Sequence, residues 1–143
     1  MSRSVALLLG VLAVIGESEA CLGQGLEEAA STFAEQWARG QTDAMQNQLA
    51  SSGVRIQWQG RPLGTLDFRH AGASIKEYLG DREGVAARVS RVEEVGGDPR
   101  TGYAEIRWES RVMGTSEVVT RTIFVAFVVE GGTWRVTELR VLP

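Results

Sequence analysis

Between residues 26 and 37, apolar side chains recur at helical spacing. Leu26, Ala29, Ala30, Phe33 and Trp37 fall at i, i+3, i+4, i+7 and i+11, one unbroken stripe. Glu27 and Glu28 lie off the stripe in the predicted opening turn, where the helix dipole favours acid. Gly40 stands where a left-handed C-terminal residue ends a helix, and Thr42 offers a cap for a short second helix from Asp43 to about Ala50. Ser51-Ser52-Gly53 breaks it. From Val54 the period drops to two: Val54, Ile56 and Trp58 alternate with Arg55 and Gln57, as on a strand with one buried face. Gly60 to Gly64 reads as a turn and Thr65–Phe68 as a short partner strand. Gly72 to Leu79 predicts a third helix burying Ile75 and Leu79.

Four further strand-like segments follow. Val85–Val95 places Val85, Ala87 and Val89 on one face, with a bulge shifting its later half. After a loop at residues 96–102, Ala104, Ile106, Trp108 and Val112 alternate with Glu105, Arg107, Glu109 and Arg111. Arg121–Glu130 is apolar on both faces, as for a central strand. Gly131-Gly132 is a two-residue hairpin signal leading into the last strand, Trp134 to Leu142. The order predicts an α+β domain in which a curved, mostly antiparallel sheet is backed by one long helix and two shorter ones.

Ahead of the stripe lies a segment of different character. Val5 to Gly16 is an apolar run of 12 residues behind Arg3, too short for the roughly 20 residues that cross a bilayer. Its length suits a signal-peptide apolar region, and Ser18-Glu19-Ala20 puts small residues where a signal peptidase reads. The expected organisation is a signal peptide at residues 1–20, a tether at 21–25 and a single domain at 26–143, exported to the periplasm or beyond. Cys21 is the sole cysteine, which excludes an internal disulfide and a CxxC pair. Its place after Ala20 resembles a bacterial lipoprotein signal, although Ser18 and Glu19 depart from that pattern. Two readings stand: a lipid-anchored Cys21, or ordinary cleavage beside it. Membrane attachment is expected only through the leader or that lipid.

Charge removes several classes. Residues 1–20 carry Arg3, Glu17 and Glu19, so 14 of 15 basic and 16 of 18 acidic residues remain beyond them. That near balance, scattered along the strands, argues against nucleic acid, which selects a clustered basic face. The sequence holds no metal-ligand cluster, phosphate-binding glycine loop or nucleophile elbow, and calls for no cofactor or metal.

Three stretches in this order resemble the nuclear transport factor 2-like superfamily, its SnoaL-like branch in particular. Phe33 to Ala44 (FAEQWARGQTDA) is similar to the first helix and the corner after it. Gly72 to Leu79 (GASIKEYL) resembles the helix after the first hairpin, and Thr133 to Leu139 (TWRVTEL) the closing strand. The resemblance spans residues 26–142 and implies a cone-shaped roll whose curved sheet can enclose a pocket. Superfamily enzymes (ketosteroid isomerases, polyketide cyclases and certain dehydratases) carry acid/base groups on pocket-facing strands, where burial tunes a pKa toward the working pH.

Two sets of residues are candidates for such a site. Asp67 and His70 are the one carboxylate–imidazole combination close in sequence, but in an extended chain three positions put them on opposite faces. Trp37, Trp58, Tyr78, Trp108 and Phe124 could converge around an apolar pocket, with Ser110 or Thr122 as placed polar groups; equally, aromatics at core spacing are simply core. The charge run Glu105–Arg111 reads as a solvated face or as the self-complementary surface of a homodimer. The leading expectation is a non-catalytic binding or accessory domain for a small apolar molecule. The rival is a cofactor-free isomerase, cyclase or dehydratase using Asp67 or His70, and a third reading is a pure interaction module.

Overall fold

The computed structural model describes the backbone from Glu17 to Pro143 and side chains from Gly25 onward. Residues 1–16 of the expected leader (residues 1–20) and the side chain of Cys21 lie outside the described residues. Three helices, α1 (Glu17–Arg39), α2 (Thr42–Gln46) and α3 (Phe68–Leu79), accompany six strands: β1 (Val54–Trp58), β2 (Arg61–Leu66), β3 (Arg82–Gly96), β4 (Thr101–Val112), β5 (Val118–Glu130) and β6 (Thr133–Val141). The strands form one sheet in the order β2-β1-β6-β5-β4-β3, in which β1 and β6 run parallel and every other neighbouring pair is antiparallel. Helical backbone begins at Glu17, earlier than the stripe predicts, and runs through residues 21–25. The stripe itself does what its spacing implies: Leu26, Ala30, Phe33 and Trp37 are buried against the inner face of the sheet.

Curvature comes from β3. Its register against β4 slips at Gly84/Ala86, Val89/Arg91 and Glu94/Gly96, leaving Val85, Ser90 and Val95 as extra residues at intervals of five. Each bulge bends the strand and adds twist, so three of them wrap it around α1. The first slip also corrects the expected face: Ala87, Val89 and Val92 pack on the core, whereas Val85 is thrown outward, 45% exposed. Where β3 starts beneath the end of α1, Gly84 allows contact no other residue could match. A Cβ there would stand 2.0 Å from the Ala38 carbonyl oxygen.

Local differences from the expected elements have simple causes. Thr42 is the first residue of α2 and not its side-chain cap; the helix closes at Gln46, and Leu49 bridges to Val136 of β6 instead. The first hairpin turns on Gln59-Gly60 alone, with φ of 51° and 87°, the paired positive values of a type I′ turn. Gly131-Gly132 turns in the same way, at 61° and 80°. Phe68 belongs to α3, which begins four residues before Gly72 because Asp67 caps it. On β4 the inward set is Ala104, Ile106, Trp108 and Ser110, while Val112 is exposed. The core is continuous from α1 to the inner residues of β4, β5 and β6.

Candidate functional site

Four of the five expected aromatic residues meet inside the cone. Trp37 ends the α1 stripe, Trp58 closes β1, Tyr78 sits near the end of α3, and Trp108 faces inward from β4. The Trp37 and Trp108 rings cross edge to face, centroids 5.3 Å apart at 85°. Trp58 and Tyr78 stack nearly parallel, 4.3 Å apart at 10°. Tyr78 lies 6.2 Å from Trp37 and 6.1 Å from Trp108, which joins the two pairs into one cluster. Both geometries are the ones an aromatic quadrupole favours. Trp37 is 1% exposed and Trp108 0%.

Phe124 is not in this cluster. It pairs with Glu105 across β4–β5, and its neighbours Ile123 and Val125 take the inward positions. Its ring therefore lies on the outer face of the sheet, stacked on Tyr103 at 5.4 Å with the Arg140 guanidinium 4.7 Å away. Thr122, one residue before buried Ile123, likewise points outward, opposite Arg107. Ser110 is inward and buried.

Two clefts flank the aromatic cluster. One, of about 420 Å³, is lined by Trp37, Leu79, Arg82, Gly84, Trp108 and Met113, among others. A smaller one, of about 260 Å³, lies against Trp58, Tyr78, Glu77 and Arg61. Arg82 borders both. Its guanidinium lies 4.2 Å from the Tyr78 ring centre and donates to the Tyr78 carbonyl at 2.7 Å and to Asp81 at 2.8 Å. Gln59 Nε2 donates to the Tyr78 hydroxyl at 2.9 Å, from a residue held at positive φ by the hairpin turn. The other charges at the larger cleft have partners: Arg39 with Glu35 at 3.0 Å, and Glu83 with Arg111 at 3.8 Å. The indole Nε1 atoms of Trp37 and Trp108 do not; both are buried without a hydrogen-bond acceptor among the described residues.

Asp67 and His70 do come together, because the chain turns into α3 between them. Asp67 accepts from the backbone N–H groups of Arg69 and His70 at 3.0 Å, and its other oxygen meets His70 Nδ1 at 2.5 Å. The His70 backbone N–H, then its ring, holds the Asp67 carboxyl below its ordinary pKa. Both side chains face solvent, 57% and 76% exposed, and neither lines either cleft. What this pair does in the fold is to cap a helix.

Among the described residues no group of His, Cys, Asp and Glu is arranged to hold a metal ion, and no helix is long and apolar enough to cross a membrane. Sequence reasoning missed Arg82, Gly84 and Met113. No periodicity signals Arg82, which reaches back to Tyr78 from the first residue of β3, after α3 has ended at Leu79.

No family model matches the chain, and no curated protein matches it in sequence. Solved structures do. A protein from Kribbella flavida superposes with a TM-score of 0.70 at 13% identity, over 87% of this chain and 91% of that one. A hypothetical protein with a ketosteroid isomerase-like fold from Catenulispora acidiphila, in complex with trimethylamine, gives 0.64 at 11% identity, over 81% and 85%. A nuclear transport factor 2-like protein of unknown function from Shewanella oneidensis gives 0.56 at 13%, over 89% and 98%. At such identities the likeness establishes the fold, a nuclear transport factor 2-like cone, and leaves the chemistry to the residues.

Proposed function

We propose that the chain is an exported small-molecule-binding or accessory domain of the SnoaL-like branch, working without catalysis. One observation carries this: an aromatic cluster beside a cleft of about 420 Å³, bordered by Arg82. Ligand sites are concave and mostly apolar with a few polar groups that orient the ligand, and this cleft has that composition. The proton-transfer rival loses support because Asp67 and His70 are exposed on the helix cap, away from both clefts. A buried base can have its pKa tuned; a solvated one gains little from the fold. Export rests on the leader at residues 1–20, anchoring on acylation of Cys21, and homodimerisation on the alternating charges from Glu105 to Arg111.

Native mass spectrometry of the protein purified from a bacterial host under mild conditions tests this reading. The expected result is a small molecule released on denaturation and missing from Met113→Trp, which fills the cleft from its outer wall. An unliganded mass for both proteins, with no ligand taken up from a panel of apolar metabolites, would count against the binding role. The same spectra read the acyl group on Cys21 and the oligomeric state.

A further inference from the structure

The larger cleft has a chemical preference, and it rests on the binding role just proposed. Two indole N–H groups, on Trp37 and Trp108, are buried with no acceptor among the described residues, and both rings line the cleft. A buried donor without a partner costs about 1–3 kcal/mol, so two in one pair of touching rings are an uncommon feature of a core. The edge-to-face crossing lets one N–H address the other ring, a weak substitute available to at most one of the pair. Among the described residues the one buried polar side chain is Ser110, two positions along β4 from Trp108. On the same cleft Arg82 presents a guanidinium whose carboxylate partner, Asp81, is 74% exposed and so easily exchanged.

From these we infer that the cleft takes a small molecule with an apolar body and a carboxylate or carbonyl acceptor, read by Arg82 and the Trp37 and Trp108 indoles. Aromatic clusters also suit ammonium groups, and a structural neighbour carries trimethylamine. In this chain the Tyr78 ring already has Arg82 over it. A cationic ligand would meet that guanidinium as a like charge and leave both indole donors unpaired. An acceptor relieves both. The N–H groups are closed off from solvent in this state, so the ligand shifts the wall to reach them. Met113, 59% exposed, is that wall's least packed apolar member.

The test is a titration of the full chain, labelled with ¹⁵N-tryptophan, with cyclohexanecarboxylate and cyclohexylmethylamine, two probes sharing one apolar body. The four indole signals are sorted by Trp58→Phe and Trp134→Phe, which leave the Trp37 and Trp108 indoles in place. The carboxylate should move the Trp37 and Trp108 N–H signals downfield to saturation, and Arg82→Gln should weaken its binding by about tenfold, the worth of a charge-assisted hydrogen bond. The amine should move neither signal. Amine binding as tight as the carboxylate's at these indoles would overturn the acceptor preference while leaving the binding role intact. If neither probe moved any cleft signal at millimolar concentration, preference and binding role would both fall. Unchanged carboxylate affinity in Arg82→Gln would remove Arg82 from the recognition.

Discussion

The two faces of the sheet each carry an aromatic cluster, the inner one drawn from α1, β1, α3 and β4 and the outer one from β4 and β5, and their settings are opposite. Inside, Trp37, Trp58, Tyr78 and Trp108 pack on one another, with Trp37 and Trp108 sealed and their N–H groups unpaired. Outside, Tyr103 and Phe124 stack under Arg91 and Arg140, and the Tyr103 hydroxyl donates to Glu93 at 2.6 Å. That hydrogen bond raises the Tyr103 pKa and, together with Arg91, lowers that of Glu93. The Tyr103 hydroxyl has its acceptor in Glu93, whereas the Trp37 and Trp108 indole N–H groups have none among the described residues. An aromatic cluster is therefore no indicator of a site by itself. The difference lies in which face the strand alternation assigns and in whether polar atoms were left unsatisfied there.

The comparison is broken most directly by truncating each cluster. Trp108→Ala should cost about 3–5 kcal/mol in denaturant unfolding, the range for a fully buried aromatic. Were the loss no larger than that of an outer-face truncation, the inner cluster would not be the centre of the core. Next comes the crossing that frames the cleft. Gly84→Ala forces a methyl into the Ala38 carbonyl and should cost about 1–3 kcal/mol or more, since backbone on both sides must move. A wild-type midpoint for Gly84→Ala would mean that α1 does not hold β3 so closely. Phe124→Ala should cost less, about 1–2 kcal/mol, because it removes a half-exposed stack and one cation–π contact. It should also leave ligand uptake at the cleft unchanged, which an inward-facing Phe124 would not allow.

That misplacement of Phe124 marks where the sequence stops being legible. In β4 the alternation is clean, Glu105, Arg107 and Glu109 against Ala104, Ile106 and Trp108, and the inward set follows from the pattern alone. In β5, RTIFVAFVVE is apolar at both parities, so period two assigns no face, and only pairing with β4 decides it. Bulges hide the phase in the same way. Val85 looks like a member of the Ala87–Val89 face until the slip at Gly84/Ala86 turns it out, and Thr137 is the extra residue that carries β6 from Trp134 and Val136 inward to Leu139 and Val141 inward. The α1 stripe and the element order, in contrast, are local or cumulative signals, and they led to the correct cone. The unpaired indoles had no signal at all in the chain, because satisfaction of a donor depends on what folding brings beside it.

The smallest effect concerns the Asp67–His70 corner, whose chemistry looked most like a site and whose position does not. Asn is as good a helix cap as Asp, so Asp67→Asn keeps the backbone hydrogen bonds and removes the charge, whereas Asp67→Ala removes both. At neutral pH Asp67→Ala should lower the melting temperature slightly and Asp67→Asn by still less. The pH dependence has a fixed sign. The folded-state pKa of Asp67 is below its ordinary 3.8, so the carboxylate's contribution is fully present above that value and is lost as pH falls through the folded one. Wild type and Asp67→Asn should therefore converge in melting temperature as pH falls through the lowered folded-state pKa and separate again on return to neutrality. Thermal unfolding monitored by circular dichroism across that range measures it. Carboxylate-probe binding at the Trp37 and Trp108 indoles should be the same in both proteins at every pH above the transition. A loss in Asp67→Asn matching that of Arg82→Gln would join the two regions into one site and restore the proton-transfer reading of the fold.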